Sequence, residues 1–581
     1  MATLSAQRID IEIACQKRHL SFLSTERNRR ATAVKCPPEI LTEIFCCVMR
    51  RIIANIGITS PKDQLVVSHV YHHWRAVVIR SQEYWSYQPI GRRGFLWSPE
   101  MVRRAGGQPL HLWMDIGRWR VNLQHRSRAL CRAVSLHIPF PDKSHSKNVN
   151  DLIQAFPQSF PTLESITLTT RGIQTLDISD FTVFPRLRHL VVDGFSWSWN
   201  PLFLTSTLTH LTLRGPVDQI WGEHSWMNLA HLTNLANLDV TDTNTPQYKG
   251  NTSDFDFSTH TPTIQMRHLR CLRIAADPLS TTLFLQQLEL TPLTSVSIDC
   301  TYLRRSNEDA ANDKDFLQLS CLLKWLRRYF QALNKVGTGL HSLQIQEDPT
   351  GRENNAIILR LWSSKVPPLA PPRQNTVQRD MKPHFEIRLA NTTEDTEDEN
   401  ENDGEDGYGK HLRNYLWRIV RWFRLTKLRN LHIDDSEMLD DPEKLFLAVP
   451  GVEVLSLMGS ELDILLNALS SQGPTPGQCL LPALHMLVIH DSSYVPEWEV
   501  SDLMDHRLAC RRPLQNVHII RCPTVKSTFI EQLRNTVPNV EWERVEEVDE
   551  QELKDYLRHQ YGDLFDMSSR SSIELEEEEE F

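Results

Sequence analysis

The chain has 581 residues, 40% hydrophobic and 23% charged, an ordinary make-up for several globular domains or one long repeat array. Its net charge of −10 is local: nine acidic residues lie between Glu394 and Asp406 and six between Glu574 and Glu580, and without those fifteen, 58 acidic residues face 63 basic ones, a net of +5 that does not point to nucleic acid. No apolar run nears the roughly 20 residues of a membrane helix, Arg8, Asp10 and Glu12 break any secretory segment, and eleven scattered cysteines without a Cys-x-x-Cys pair suit reduced thiols in cytoplasm or nucleus.

In chain order, residues 1–33 hold one short helical pattern, with Ile9, Ile13, Leu20 and Leu23 loosely on one stripe. From Pro37 the sequence reads PPEILTEIF, then SPKDQLVVSHVYHHWRAV, then EYWS. Ile40, Leu41, Ile44, Phe45, Val48, Met49, Ile52 and Ile53 recur in pairs, one pair per turn, which predicts a helix with one broad apolar face. Pro37 and Pro38 sit at its start, where a missing N–H costs nothing. A second helix opens at Ser60-Pro61-Lys62-Asp63, and Val67, Val70, Trp74, Val77 and Val78 share its apolar side.

These blocks resemble the F-box family. Pro38, Glu39, Ile40, Leu41, Ile44 and Phe45 match its first block. Leu65, Ser68, Val70, Trp74 and Arg75 match the second, and Trp85 the closing aromatic. Doubled Pro and a terminal Tyr-Trp are similar to the version abundant in mushroom-forming fungi. Cys36, Tyr71 and His72-His73 depart from the pattern. The resemblance implies an F-box over 34–90 that binds a Skp-family adaptor and, through it, cullin. Its contact residues would be Pro37, Pro38, Ile40, Leu41, Ile44 and Phe45, with Val70 and Trp74 packing behind. The plainer reading is a helical hairpin inside a larger core. Residues 91–130, including LWSPEMVRRAGGQPLHLWMDI, read as a connector helix followed by a strand, another feature of such fungal proteins.

From residue 131 to 545 one phrase recurs: Leu-x-x-Leu-x-Leu or a variant. It begins at Leu163, Leu187, Leu208, Leu235, Leu269, Leu293, Leu340, Leu428, Val452, Leu484 and Leu514, with AVSLHI at Ala133 as an atypical first unit. Several spacings fall in the low-to-mid twenties, the period of leucine-rich repeats. The fourth and sixth positions point to one side of a strand, the third, fifth and seventh to the other. The expected fold is α/β: a helical N-terminal domain, then an irregular solenoid with a parallel sheet and outer helices. An irregular α/β domain is the alternative.

The outward positions form the candidate target-binding face: His189, Val191 and Asp193; His210, Thr212 and Arg214; Asn237, Asp239 and Thr241; Asn430, His432 and Asp434. Residues 364–409 read as a disordered insert, Pro-rich at first and acidic later, with one strand expected at 384–390. Residues 546–581 are an acidic tail. LLKWLRRYFQALNK and HLRNYLWRIVRWFR read as outer helices.

No sequence motif assembles a catalytic site. His69, His72 and His73 have helical metal spacing but no third-element ligand. The acidic insert imitates a calcium loop but carries Lys410 where a bidentate Glu is required. The expectation is a protein without enzymatic activity, metal, cofactor, membrane or nucleic-acid partner. It would be a substrate-recognition subunit of an SCF-type ubiquitin ligase that binds an unknown target, or else a non-ligase interaction scaffold.

Overall fold

The structure is a computed structural model. It describes residues 13–17, 19–20, 23, 36–55, 66–69, 72–90, 98–114, 130–140, 160–176, 184–197, 205–215, 228–242, 264–304, 309–336, 339–347, 356–363, 383–392, 416, 419–421, 423, 425, 427–434, 439, 441–459, 462–471 and 479–543. The chain divides into two compact units: Met1–Ala276 with Leu283–Thr291, and Asp277–Thr282 with Pro292–Phe581. Both are mixed α/β, built on mostly parallel strands.

The first unit begins with helices α1 (Pro38–Asn55), α2 (His72–Arg80) and α3 (Gln82–Ser86). The amide of Leu41 donates to the Pro37 carbonyl at 3.0 Å and closes the first turn of α1. Ser81 opens α3, its hydroxyl accepting the Tyr84 amide at 3.1 Å, a cap that satisfies one orphan donor. Leu41, Phe45, Met49, Val77, Val78, Tyr84 and Trp85 are buried. Phe45 lies 5.3 Å from Trp74 and 6.4 Å from Tyr84, and Tyr84 meets Trp85 edge-on at 5.6 Å. The Trp85 indole N–H donates to the Val78 carbonyl at 2.7 Å, so its polar handle is satisfied inside the core. The closing aromatic pair therefore locks α3 under α1 and α2. The start expected at Ser60–Asp63 lies outside the described residues, as do Leu65 and Val70.

Strand β1 (Tyr87–Ile90), helix α4 (Ser98–Arg104) and strand β2 (Leu110–Met114) follow, the connector helix and strand expected from sequence. The Arg104 guanidinium sits 4.8 Å over the Trp85 ring. Next come β3 (Ala133–Phe140), β4 (Ser165–Leu176), β5 (His189–Trp197), β6 (His210–Gly215) and β7 (Asn237–Asp242). The short β8 (Ile264–Gln265) and then β9 (Cys271–Ala275) complete the series. β1 to β7 and β9 pair in parallel in chain order. Ser135, Ser165, His189, His210, Asn237 and Cys271 stand in one register row. The fourth and sixth phrase positions, such as Leu190 and Val192 or Leu211 and Leu213, are buried throughout.

Each phrase is entered through a tight turn. Amides of Leu163, Leu187, Leu208, Leu235 and Leu269 donate to carbonyls three residues back, at Phe160, Phe184, Thr205, Leu232 and Met266. The next amide then donates to the preceding turn: Arg188 to Glu164, Thr209 to Arg188, Ala236 to Thr209, each at 2.8 Å. These bonds pair backbone groups that burial would otherwise orphan. Phe160 and Phe184 stack at 5.6 Å beneath the turns. In β5 the left-handed Gly194 (φ 81°) passes so close to Thr170 that a side chain would strike its carbonyl. Outer helices were expected between strands. Among the described residues, the links from β3 to β7 hold turns and only a single helical turn at 228–230.

Helix α5 (Pro278–Gln287) is divided between the units, through Thr282 in the second and from Leu283 in the first; at its start the Asp277 carboxylate accepts the amides of Leu279 and Ser280. β10 (Leu288–Glu289) pairs with β8 inside the first unit. The second unit's strands are β11 (Ser295–Arg304), β12 (Ser342–Glu347), β13 (Ile357–Trp362), β14 (Phe385–Thr392), β15 (Asn430–Asp434), β16 (Val454–Met458), β17 (Met486–His490), β18 (Asn516–Ile520) and β19 (Asn539–Glu543). Its helices are α6 (Asp309–Val336), α7 (Pro442–Ala448), α8 (Leu462–Ser470), α9 (Glu497–Ala509) and α10 (Ser527–Thr536). β12 and β15 to β19 run parallel, each to the next. β13 enters between β12 and β14 and is antiparallel to both.

The strand expected at 384–390 within the insert is β14, with Phe385, Ile387 and Leu389 buried between β11 and β13; the alternation FEIRL is a half-buried strand pattern that outweighs the polar flanks. One expectation is corrected. Leu293 opens a phrase but is 81% exposed, and the buried residues of that phrase are Thr294, Val296 and Ile298. The expected helical face at Leu416, Ile419 and Phe423 is buried; Leu412 and Tyr415 lie outside the described residues. Phe330 of α6 packs on Phe385 and Phe423 at 5.0 and 4.7 Å.

Candidate functional site

α1 carries two apolar rows, not one broad face. Leu41, Phe45 and Met49, four residues apart, turn into the core with Cys46. Ile40, Ile44 and Val48, also four apart, lie one residue earlier and remain 52, 47 and 40% exposed. Consecutive residues on a helix stand about 100° apart, so the second row runs beside the first and faces solvent. Pro37 and Pro38 are exposed at its N-terminal end. The result is a continuous apolar strip along the outside of a helix held rigidly from below.

The residues expected to touch an adaptor thus divide. Pro37, Pro38, Ile40 and Ile44 are open. Leu41 and Phe45 are buried and belong to the packing beneath, a correction imposed by the Phe45–Trp74–Tyr84 ring cluster. Trp74 is half-buried behind α1, the place expected for it. Val70 lies outside the described residues. Val48 was not among the expected contacts, though it follows Ile40 and Ile44 by the same four-residue step. Cys36, which departs from the family pattern, is half-buried.

The strip is flanked by one charge pair. Arg50 donates to the Glu43 carboxylate at 2.6 Å, and this bond holds the Glu43 pKa below the usual carboxylate range. Both are exposed, so the pair adds little stability. Beneath the strip, burial pushes the Cys46 thiol up to about 12 and keeps it an inert apolar filler. His69 is exposed and His73 half-buried. Among the described residues no three His, Cys, Asp or Glu side chains converge to hold a metal ion.

The second candidate surface is the outward side of the sheets. In the first unit it is accessible. His189 and His210 meet with ring centres 4.3 Å apart and planes tilted by 33°, and Asn237 continues their register row. Arg214 donates to Asp239 at 3.0 Å. Burial raises the Asp193 pKa, with Arg214 lowering it and Asp239 raising it. Burial, then the neighbouring His189, lowers that of His210. Further along the sheet, Tyr87 stacks on His111 at 4.6 Å, and burial lowers His137 to about 4. With their pKa values lowered by burial, the His111, His137 and His210 imidazoles are uncharged hydrogen-bonding groups at neutral pH. The twelve expected target-face residues fall into two sets, and the nine of the first unit are all half-buried or exposed.

The three of the second unit differ. Asn430 and His432 are 6% and 3% exposed, so they do not belong to an open surface, and only Asp434 is half-buried. Asn430 donates to the Ser342 hydroxyl at 3.0 Å, and His432 is hydrogen-bonded to Ser456 at 3.0 Å and stacked on His490 at 5.1 Å. Strand alternation sets Asn430 and His432 on the side opposite Leu431 and Ile433; it carries no information about whether that side is covered.

Among the described residues no helix is long and apolar enough to cross a membrane. No family model and no curated protein matches the chain.

Proposed function

We propose that the chain is a substrate-recognition subunit of an SCF-type cullin–RING ubiquitin ligase. The outer strip of α1 docks a Skp-family adaptor, as in the F-box family that residues 37–85 resemble. The outward face of the first unit receives a target protein. One observation carries this reading: Ile40, Ile44 and Val48 stay exposed in line with Pro37 and Pro38 while the other side of α1 is packed. A row of branched apolar side chains on a rigid helix is a groove-filling anchor set. Covering it contributes about 1 kcal/mol per side chain.

The parallel strands and their turn-entered phrases support a degenerate leucine-rich-repeat solenoid as the target-binding part. The receptor makes and breaks no bond. It holds a target near a charged ubiquitin-conjugating enzyme, and the gain is effective concentration. Such an assembly works in the cytoplasm or nucleus.

The test is a pull-down of the tagged full-length protein from cells, probed for the adaptor and for cullin, beside an Ile44→Glu variant. Both partners should accompany the wild type and neither the variant. Adaptor without cullin would favour a scaffold outside any ligase. Absence of both from the wild type would sink the proposal.

A further inference from the structure

In the second unit α8, α9 and α10 pack in succession, with Leu466, Leu503 and Ile530 buried beneath them. Their other side faces solvent. On α9, Trp498, Asp502, Asp505 and Ala509 follow the helical steps of four, three and four, and all are exposed. Trp498 is 73% exposed, an unusual position for so large an aromatic ring. Asp463 of α8 and Glu531 of α10 are exposed on the flanking helices. Against these carboxylates the exposed positions of the three helices carry one basic side chain, Arg534; Arg507 of α9 is buried and donates to the carbonyls of Leu480, Leu484 and Arg512.

We infer that this helix face is a docking surface for an arginine-bearing peptide segment of a protein partner, with Trp498 as the anchor. The face of an open indole attracts a guanidinium. A carboxylate one turn along the same helix face, with its Cβ about 5–6 Å away, accepts the N–H groups of that guanidinium. The planar fork stacks and donates at once, which an ammonium does less well. The two carboxylates in the Trp498 row of α9, Asp502 and Asp505, disfavour an anionic occupant such as nucleic acid or membrane and the face-to-face apposition of two copies of that row. The surface uses no residue of α1 or of the outward strand rows, so this inference stands independently of adaptor binding.

The test uses the full-length protein and a fluorescein-labelled arginine–glycine heptapeptide, titrated by fluorescence anisotropy. Trp498→Ala leaves the net charge unchanged, so a loss of affinity in it cannot be ascribed to the acidic segments elsewhere in the chain. It should bind about fivefold or more weakly. Asp502→Asn with Asp505→Asn should weaken binding again and flatten its salt dependence, and a lysine–glycine peptide should bind several-fold less tightly than the arginine one. Oxidation of Trp498 by N-bromosuccinimide, followed by mass spectrometry, should slow when the peptide is present. Wild-type affinity in Trp498→Ala, unprotected Trp498 at saturating peptide, or no binding by about 1 mM peptide would each overturn the inference.

Discussion

The outward strand rows of the two units carry similar residues in very different surroundings. Asn237 and Asn430 hold the same third position in their phrases, LANLDV and LRNLHI, and Asp239 and His432 the same fifth position. In the first unit Asn237 and Asp239 are half-buried. In the second, Asn430 and His432 are sealed in and paired to Ser342 and Ser456. The same polar position is thus partly open to solvent in one unit and part of the hydrogen-bonded interior in the other. α1 repeats the contrast within one helix, with Leu41 and Phe45 inside and Ile40 and Ile44 outside.

Matched substitutions sharpen this contrast. The largest effect is expected in α1: Leu41→Ala should lower stability by about 2–5 kcal/mol, and Ile44→Ala by about 0.5 kcal/mol or less, both read from urea denaturation. Similar losses for the two would erase the distinction between the rows. For the asparagines, Asn430→Ala strands the buried Ser342 hydroxyl and should cost about 1–3 kcal/mol, whereas Asn237→Ala should fall within about 0.5 kcal/mol of wild type.

The histidines should differ in their response to acid. Burial, then the neighbouring His490, lowers His432 to about 3, below its unfolded value near 6.5. Between those values the unfolded chain binds the proton and the folded one does not, so stability falls as pH drops below 6.5. At pH 5.5 the loss from this one residue is about 1.4 kcal/mol, and His432→Gln should flatten the slope between pH 7 and 5.5. An unchanged slope would mean His432 is not buried neutral. The smallest effect belongs to the exposed Arg214–Asp239 pair: a double-mutant cycle should return less than about 1 kcal/mol and shrink in salt.

The strands were legible because burial of their fourth and sixth positions demands Leu, Ile or Val at period two, as at Leu238 and Val240 or Leu455 and Leu457. The turn before seven of the phrases left a weaker trace, a buried apolar residue three positions ahead: Phe160, Phe184, Leu232, Met266, Leu425, Val449 and Leu481. β13 went unread. Its AIILRLW run lacks the opening Leu-x-x, and its antiparallel insertion depends on pairing with β12 and β14, far away in sequence. At α1 both rows are apolar, so periodicity located the helix without telling which row is packed; the ring cluster of Phe45, Trp74 and Tyr84 decides it. Trp498 escaped notice because an exposed and a buried tryptophan are identical in sequence.

The most direct measurement is calorimetric titration of a purified Skp-family adaptor into the wild-type protein, Ile40→Glu and Leu41→Met. The account predicts that the wild type binds, that Ile40→Glu loses binding while keeping the wild-type unfolding midpoint, and that the volume-conserving core change Leu41→Met retains it. Undiminished binding by a folded Ile40→Glu, or no binding by the wild type, would contradict the assignment of the α1 strip as the docking surface.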